Sequence, residues 1–221
     1  MSFESFFQGW LDRQEELLDE LLSAPREGEE HKLRELIEKA LTHYGAYYRE
    51  KSLMASRDVL LVFSPRWFTA CERTFLWIAG WKPGMAFRLV RSNVEGLTDE
   101  QSEAIGRLRE GTAEREEELA AEMTMVQEAS VLGINLGPRR WRRNGFALRD
   151  GEAVETAAEA MEVVTGRMES LLSLADSLRK KTVMDLVGVL EPLQAIDLFA
   201  AATQLHIHLR RWGLQRESGT A

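Results

Sequence analysis

Two histidines in the segment LHIHLRRWG, His206 and His208, are the first residues in this chain whose type and spacing suggest chemistry. An imidazole there could ligate iron, carry a proton, or accept a hydrogen bond inside a core. Helical positions turn by about 100° each, so the two rings point about 200° apart and cannot share one metal on a regular helix. His206 falls in a broad apolar arc with Ile196, Phe199, Ala200, Ala202, Thr203, Leu205, Ile207 and Leu209; His208 falls on the polar side with Asp197 and Gln204. The plainer reading of His206 is a core histidine bonded to a neighbour. The sharper one is an axial haem ligand in an apolar pocket. His43, inside THYGAYY, is a candidate second ligand. With no CxxCH motif, any haem would be held noncovalently.

The densest positive patch is Pro138 to Arg143, where Arg139, Arg140, Arg142 and Arg143 surround Trp141. It reads as a solvated loop or as an anion or partner-protein contact, because Arg and Trp are frequent interface anchors. The run Glu114 to Glu118 reads as an exposed helix face. Cys71 has no base at motif spacing and reads as packing. No phosphate-binding loop, dinucleotide fingerprint, zinc-protease, nucleophile-elbow or paired-cysteine motif occurs, so nothing in the sequence argues for an enzyme.

Helices must position these groups. Leu, Glu, Ala, Arg and Met abound, only 5 prolines occur, and 44% hydrophobic content suffices for a real core. The spacing predicts a first helix bearing Phe3, Phe6, Phe7, Trp10, Leu11, Leu17, Leu18 and Leu21, ended by Pro25 to Gly28. Its aromatic cluster is either core or a docking face. A second helix spans about 31–54, with Tyr44, Tyr47 and Tyr48 on its stripe. Residues 58–63 read as a helical or irregular connector. Trp67 to Val90, rich in Trp and Phe, reads as helix–turn–helix, with Ser64 as cap, Pro65 in the first turn, and Gly80 and Pro83 as stops. Thr98 and Gln101 form a capping-box pattern that opens a helix to about 131, fraying at Gly106 and Gly111. Residues 132–151 read as loop. A helix over about 152–190 carries Val154, Ala158, Met161, Thr165, Met168, Leu172, Ala175 and Leu178 on its inner face. Pro192 opens the last helix, expected to stop at Trp212 before Gly213. The expected fold is all-α: a single-domain antiparallel helical bundle with long helices and one basic loop, spanning 1–214, then a disordered tail over 215–221.

The formal net charge is −8, which disfavours direct nucleic-acid binding. No apolar run is long enough for a membrane span, and the N-terminus lacks signal-peptide features. A single cysteine excludes an internal disulfide and suits a reducing compartment, here nucleus and cytoplasm.

Several stretches together resemble the Delay of Germination, or seed dormancy control, domain. They are FESFFQGWLDRQ (Phe3 to Gln14), HYGAYYREK (His43 to Lys51), RDVLLVF, SPRWFTACERTFLWIAGWKP (Ser64 to Pro83), LTDEQ (Leu97 to Gln101), ADSLRKKT (Ala175 to Thr182) and LEPLQAIDLFAAATQLHIHLRRWG (Leu190 to Gly213). That domain also forms the C-terminal part of TGA-type basic-zipper factors. No basic zipper precedes these stretches, so a stand-alone member is expected. The resemblance implies a non-enzymatic regulator of seed dormancy and abscisic-acid response that binds and restrains clade A type 2C protein phosphatases. The implied contact motif maps onto Glu4, Ser5, Phe6, Phe7, Gln8 and Trp10, with Gly9 where an acidic residue is expected. It also implies haem held by two histidines one turn apart; His206 matches the first, and Arg210 stands at the second. TGA relatives imply a buried fatty acid as an alternative ligand, and basic-zipper factors or self-association as alternative partnerships.

Overall fold

The computed structural model describes residues 3–26, 28–132 and 157–219. Among these residues it contains eight helices and no strand, so the fold is all-α. They are α1 (Phe3–Leu22), α2 (Glu30–Ala55), α3 (Val59–Phe63), α4 (Ala70–Thr74), α5 (Met85–Asn93), α6 (Asp99–Leu132), α7 (Ala157–Val189) and α8 (Pro192–Glu217). The basic patch 139–143, Val154 and most of the predicted 132–151 loop lie outside the described residues.

Helix α8 is the organising element. It packs against α1, α2, α4, α5 and α7, while α6 and α7 pair along their length. Its buried face includes Ile196, Phe199, Thr203, His206 and Ile207. The main apolar cluster joins α8 to Leu17 and Leu21 of α1, Ile37 and Ala40 of α2, and Phe87 and Val90 of α5. A second cluster lies between α3, α6 and α7, with Val62, Leu119, Leu171 and Ala175. A third is aromatic: Phe7, Trp10 and Phe68, flanked by Phe3, Tyr47 and Trp67.

Local chemistry sets most boundaries. Asp58 caps α3, its carboxylate accepting from the Leu60 N–H at 3.0 Å. Thr98 and Gln101 exchange the expected capping-box bonds, 3.0 and 3.1 Å, at the start of α6. Pro192 occupies the first turn of α8, and Glu191 and Gln194 form a second capping box there.

Four expectations need correction. The aromatic block does not begin a helix at Ser64. The cap is Thr69, whose hydroxyl accepts from the Glu72 N–H while the Glu72 carboxylate accepts from the Thr69 N–H. That reciprocal pair starts a one-turn helix ending at Thr74, and irregular backbone carries the chain on to α5. Helix α6 runs unbroken through Gly106 and Gly111. Within the acidic run, Glu116 is buried; it accepts from the Gly84 N–H at 2.6 Å and faces Lys82 at 3.4 Å. Helix α8 passes Gly213 and stays helical to Glu217. Gly213 serves close approach instead of termination: a Cβ there would lie 2.2 Å from Thr69 Oγ1.

Candidate functional site

Trp10 stands at the junction of α1, α2 and α8. Its indole N–H donates to the His43 carbonyl at 3.0 Å, and its ring stacks on the His43 imidazole with centroids 4.6 Å apart. The His206 ring lies 5.4 Å away. Gln14, fully buried beside it, accepts from His43 Nε2 through its amide oxygen at 2.5 Å and donates to the Tyr44 hydroxyl at 2.9 Å through its amide nitrogen. That hydroxyl also meets Thr203 Oγ1 at 2.9 Å. One polar chain therefore crosses three helices, satisfying groups the core would otherwise strand.

Below it, Arg210 donates to Glu72 Oε2 at 3.1 Å and to the Trp67 carbonyl at 2.8 Å, with its guanidinium 5.3 Å from the Phe7 ring centroid. The other oxygen, Glu72 Oε1, lies 3.8 Å from His206 Nε2, and both atoms are buried without a hydrogen-bond partner. Burial first, then the charge of Arg210 and the neighbouring His43, pull His206 down to about 4. Burial, then Arg13 and Lys39, pull His43 down to about 4. Both rings are neutral at neutral pH.

These residues do not fit a haem. Two axial imidazoles must face each other across the porphyrin, yet the Trp10 indole touches both His43 and His206 and fills that space. His206 Nε2 is closed off against Glu72, and His208 is exposed on the far side of α8. Arg210, one turn after His206, is committed to Glu72 and Trp67. No group of three or more His, Cys, Asp or Glu is placed to hold a metal among the described residues.

The implied partner motif divides by exposure. Phe7 and Trp10 are each 2% exposed and form the aromatic core; Phe6 is half-buried; Glu4, Ser5 and Gln8 are exposed. The aromatic face of α1 is therefore packing, and the surface it leaves open is polar.

A larger feature escaped the sequence reading. Helices α2, α5, α7 and α8, with residues 81–83, enclose a cavity of about 750 Å³. Its rim carries exposed Arg49 and Ser52 of α2 and Ser173, Ser177 and Lys180 of α7. Its floor holds Tyr48, Leu172, Leu198, Phe199 and His206. The size lies within the range typical of small-molecule pockets, about 300–1,000 Å³.

A buried ionic cluster supports one wall. Lys51, 0% exposed, donates to Asp176 at 2.7 Å and to the Ala79 carbonyl at 3.2 Å. Burial pulls its ammonium down to about 8, against the raising influence of Asp176. Arg179 also pairs with Asp176, and donates to the carbonyls of Trp77, Ile78 (3.0 Å) and Trp81 (2.7 Å). These bonds clamp a tight segment in which Ile78 and Ala79 take left-handed φ values of 42° and 52°. Gly80 is required beneath the clamp, since a Cβ would lie 2.6 Å from Arg179 Cζ. One signal in the sequence marks this cluster: Lys51 continues the stripe of Tyr44, Tyr47 and Tyr48, where a charge must find a partner.

With this geometry in place, comparison with known proteins is informative. Residues 15–92, from α1 through α5, match the family model described as Seed dormancy control. The chain is 36% identical to Protein ZW2 of Arabidopsis thaliana over 96% of each chain. The chain belongs to the seed dormancy control family. Protein RESPONSE TO ABA AND SALT 1 of Arabidopsis thaliana is 32% identical over 95% of this chain and 94% of its own length. Transcription factor TGA2.3 of Oryza sativa subsp. japonica is 28% identical over 95% of this chain, which spans 63% of that factor. Family membership and the all-α fold agree with the sequence reading. No helix among the described residues is long and apolar enough to cross a membrane.

Proposed function

We propose that this protein is a non-enzymatic regulator of seed dormancy and abscisic-acid response, acting in the nucleus and cytoplasm by binding and restraining a type 2C protein phosphatase. The observation that supports the reading is the likeness, along almost the whole of both chains, to RESPONSE TO ABA AND SALT 1. The contact surface would be the open side of α1, with Glu4, Ser5 and Gln8 meeting the partner and half-buried Phe6 at its edge. Phe7 and Trp10 hold that surface in place from behind. A pull-down of purified phosphatase with wild type and the double variant Ser5→Arg/Gln8→Arg tests it. Binding lost in the variant, at unchanged melting temperature, supports the reading; equal capture of both refutes this docking surface, and no capture by wild type refutes the partner. The likeness to TGA2.3 supports association with basic-zipper factors as a further partnership.

The cavity favours a second reading, a small-ligand sensor holding one acyl chain among the helices. Its floor is largely apolar, and its rim cations Arg49 and Lys180 are in no ion pair among the described residues. A fatty carboxylate at the rim with its chain on the floor satisfies both halves of the site. Native mass spectrometry with added palmitate checks this: a 1:1 adduct supports it, and an unchanged mass at saturating palmitate removes it.

A further inference from the structure

The rim of the cavity repeats one order of residues on two helices. On α2 the outer lining runs Gly45, Arg49, Ser52, Ser56, at spacings of three and four that place them on one face. On α7 it runs Ser173, Ser177, Lys180, Met184, at the same spacings. The two helices pass in opposite directions. The apolar cluster that holds Leu33 and Ile37 of α2 takes Leu186 and Leu190 of α7, and the cluster that holds Ala55 takes Met168 and Leu172. Between these clusters α2 meets α7 through Lys51 and Asp176, at 2.7 Å. In that register Gly45 stands across from Met184, Arg49 from Lys180, Ser52 from Ser177, and Ser56 from Ser173.

The cavity is therefore graded along its length. One end is apolar, with Leu41, Leu89, Val183 and Met184. Two cations stand in the middle, and four serine hydroxyls lie beyond them. Among the described residues Arg49 and Lys180 are in no ion pair, and Ser52, Ser173 and Ser177 bond to no protein group. Ser56 donates to the Leu53 carbonyl at 3.0 Å and keeps its acceptor lone pairs. Most other charges of the lining are committed. Asp176 holds Lys51 and Arg179, Arg179 also holds backbone carbonyls, and Lys82 faces Glu116 at 3.4 Å. Glu169 lies one turn past Ser173, at the hydroxyl end, where it disfavours a second anion.

A fatty carboxylate matches only part of this gradient. It stops at the cations, whereas the stretch from Arg49 to Ser56 continues for about 10 Å along the helix axis. A phosphodiester meets the same cations and carries the molecule onward, and a guanidinium matches phosphate oxygens with two parallel bonds. Serine hydroxyls both donate and accept, so they suit an uncharged group bearing hydroxyls of its own.

We propose that the cavity takes a single-chain phospholipid with a hydroxylated headgroup. Its acyl chain lies beside Leu41 and Met184, its phosphodiester between Arg49 and Lys180, and its headgroup along the serines. This rests on the acyl-chain reading of the same cavity and names the headgroup that the chain carries.

Pairwise competition among palmitate, palmitoyl-lysophosphatidylglycerol and palmitoyl-lysophosphatidylcholine tests it, read by native mass spectrometry of the full-length protein below each micellar concentration. The three share one chain, so any preference belongs to the headgroup. Wild type is expected to take the lysophosphatidylglycerol over each of the others by about five- to tenfold, the worth of one or two net hydrogen bonds. In Ser52→Ala/Ser177→Ala, at exposed helical positions that favour alanine, the preference over lysophosphatidylcholine falls to near unity while palmitate binding is unchanged. Gly45→Trp fills the apolar end, where a Cβ meets no atom within 4 Å, and should weaken all three. Unweakened binding in that variant overturns the placement of the chain. Equal capture by wild type in either comparison, or a preference that survives the double serine variant, overturns the headgroup and leaves the acyl reading standing. If none of the three binds, both fall.

Discussion

Gly213 and Thr69 lie so close that any side chain on the glycine would collide with the threonine: a Cβ would come within 2.2 Å of its hydroxyl and 2.6 Å of its Cβ. Thr69 is the cap that starts α4, and Glu217, one turn further along α8, accepts from the Ala70 N–H at 2.6 Å. The end of α8 and the start of α4 are thus fitted as one joint. Gly213→Ala gains helix propensity but must push the cap away, so it should destabilise by about 1–3 kcal/mol, the usual cost of overpacking. Denaturant unfolding measures it; a stabilised variant would show that the joint is slack.

His43 and His206 should make the fold acid-sensitive between pH 6.5 and 4. Each is held near 4 in the folded protein, against 6.5 for an ordinary histidine. In that window the unfolded chain binds protons that the folded chain refuses, so stability rises with pH and is lost as pH falls. Each ring contributes up to about 1.4 kcal/mol per pH unit. Chemical denaturation at a series of pH values gives the slope, and His43→Gln should flatten it by about half. An unchanged slope in that variant would place the acid sensitivity elsewhere.

Arg179→Ala should be among the most damaging substitutions in α7. It removes the side-chain bonds to the carbonyls of Trp77, Ile78 and Trp81, and leaves Asp176 with Lys51 alone. Breaking one partner out of a buried ionic cluster costs about 3–5 kcal/mol. Thermal unfolding should show the loss. Arg179→Lys should recover little, because an ammonium cannot span three carbonyls and a carboxylate with the geometry of a guanidinium.

Trp10→Ala and Gln8→Arg separate packing from docking. The first empties a site 2% exposed and should cost about 3–5 kcal/mol. The second alters an exposed position and should leave stability within about 0.5 kcal/mol while weakening phosphatase capture. If capture by Gln8→Arg equals wild type and only Trp10→Ala fails, the open side of α1 is not the contact.

Hemin added to the folded protein should give no six-coordinate spectrum that His206→Ala removes, because the Trp10 indole packs on both His43 and His206 and Glu72 faces His206 Nε2. A six-coordinate spectrum dependent on His206 would show that the aromatic packing opens to admit the porphyrin.

Much of the architecture was legible because it is written in neighbours along the chain. The Thr98–Gln101 box, Pro192 at the head of α8, and the stripes of α1 and α2 involve residues three or four apart. The Ser64 cap failed because Thr69 and Glu72 offered a better reciprocal pair a few residues on. Gly213 misled because its partner, Thr69, is remote in sequence; a glycine kept for contact looks like a glycine kept for a turn. The buried Glu116 was hidden in a run of exposed acids, and its partners Gly84 and Lys82 lie on another element. The cavity has no local signature, since its walls come from four helices and its volume is what their side chains jointly leave unfilled.

Helix α8 touches α1, α2, α4, α5 and α7 and follows them all in sequence, which has a consequence for synthesis. As the polypeptide leaves the ribosome, the apolar faces of α1, α2 and α5 wait for a strip of α8 not yet translated. The nascent chain must keep those faces uncovered until α8 itself has emerged. A premature stop ahead of α8 would then yield a sticky, unfinished product in place of a shortened working one.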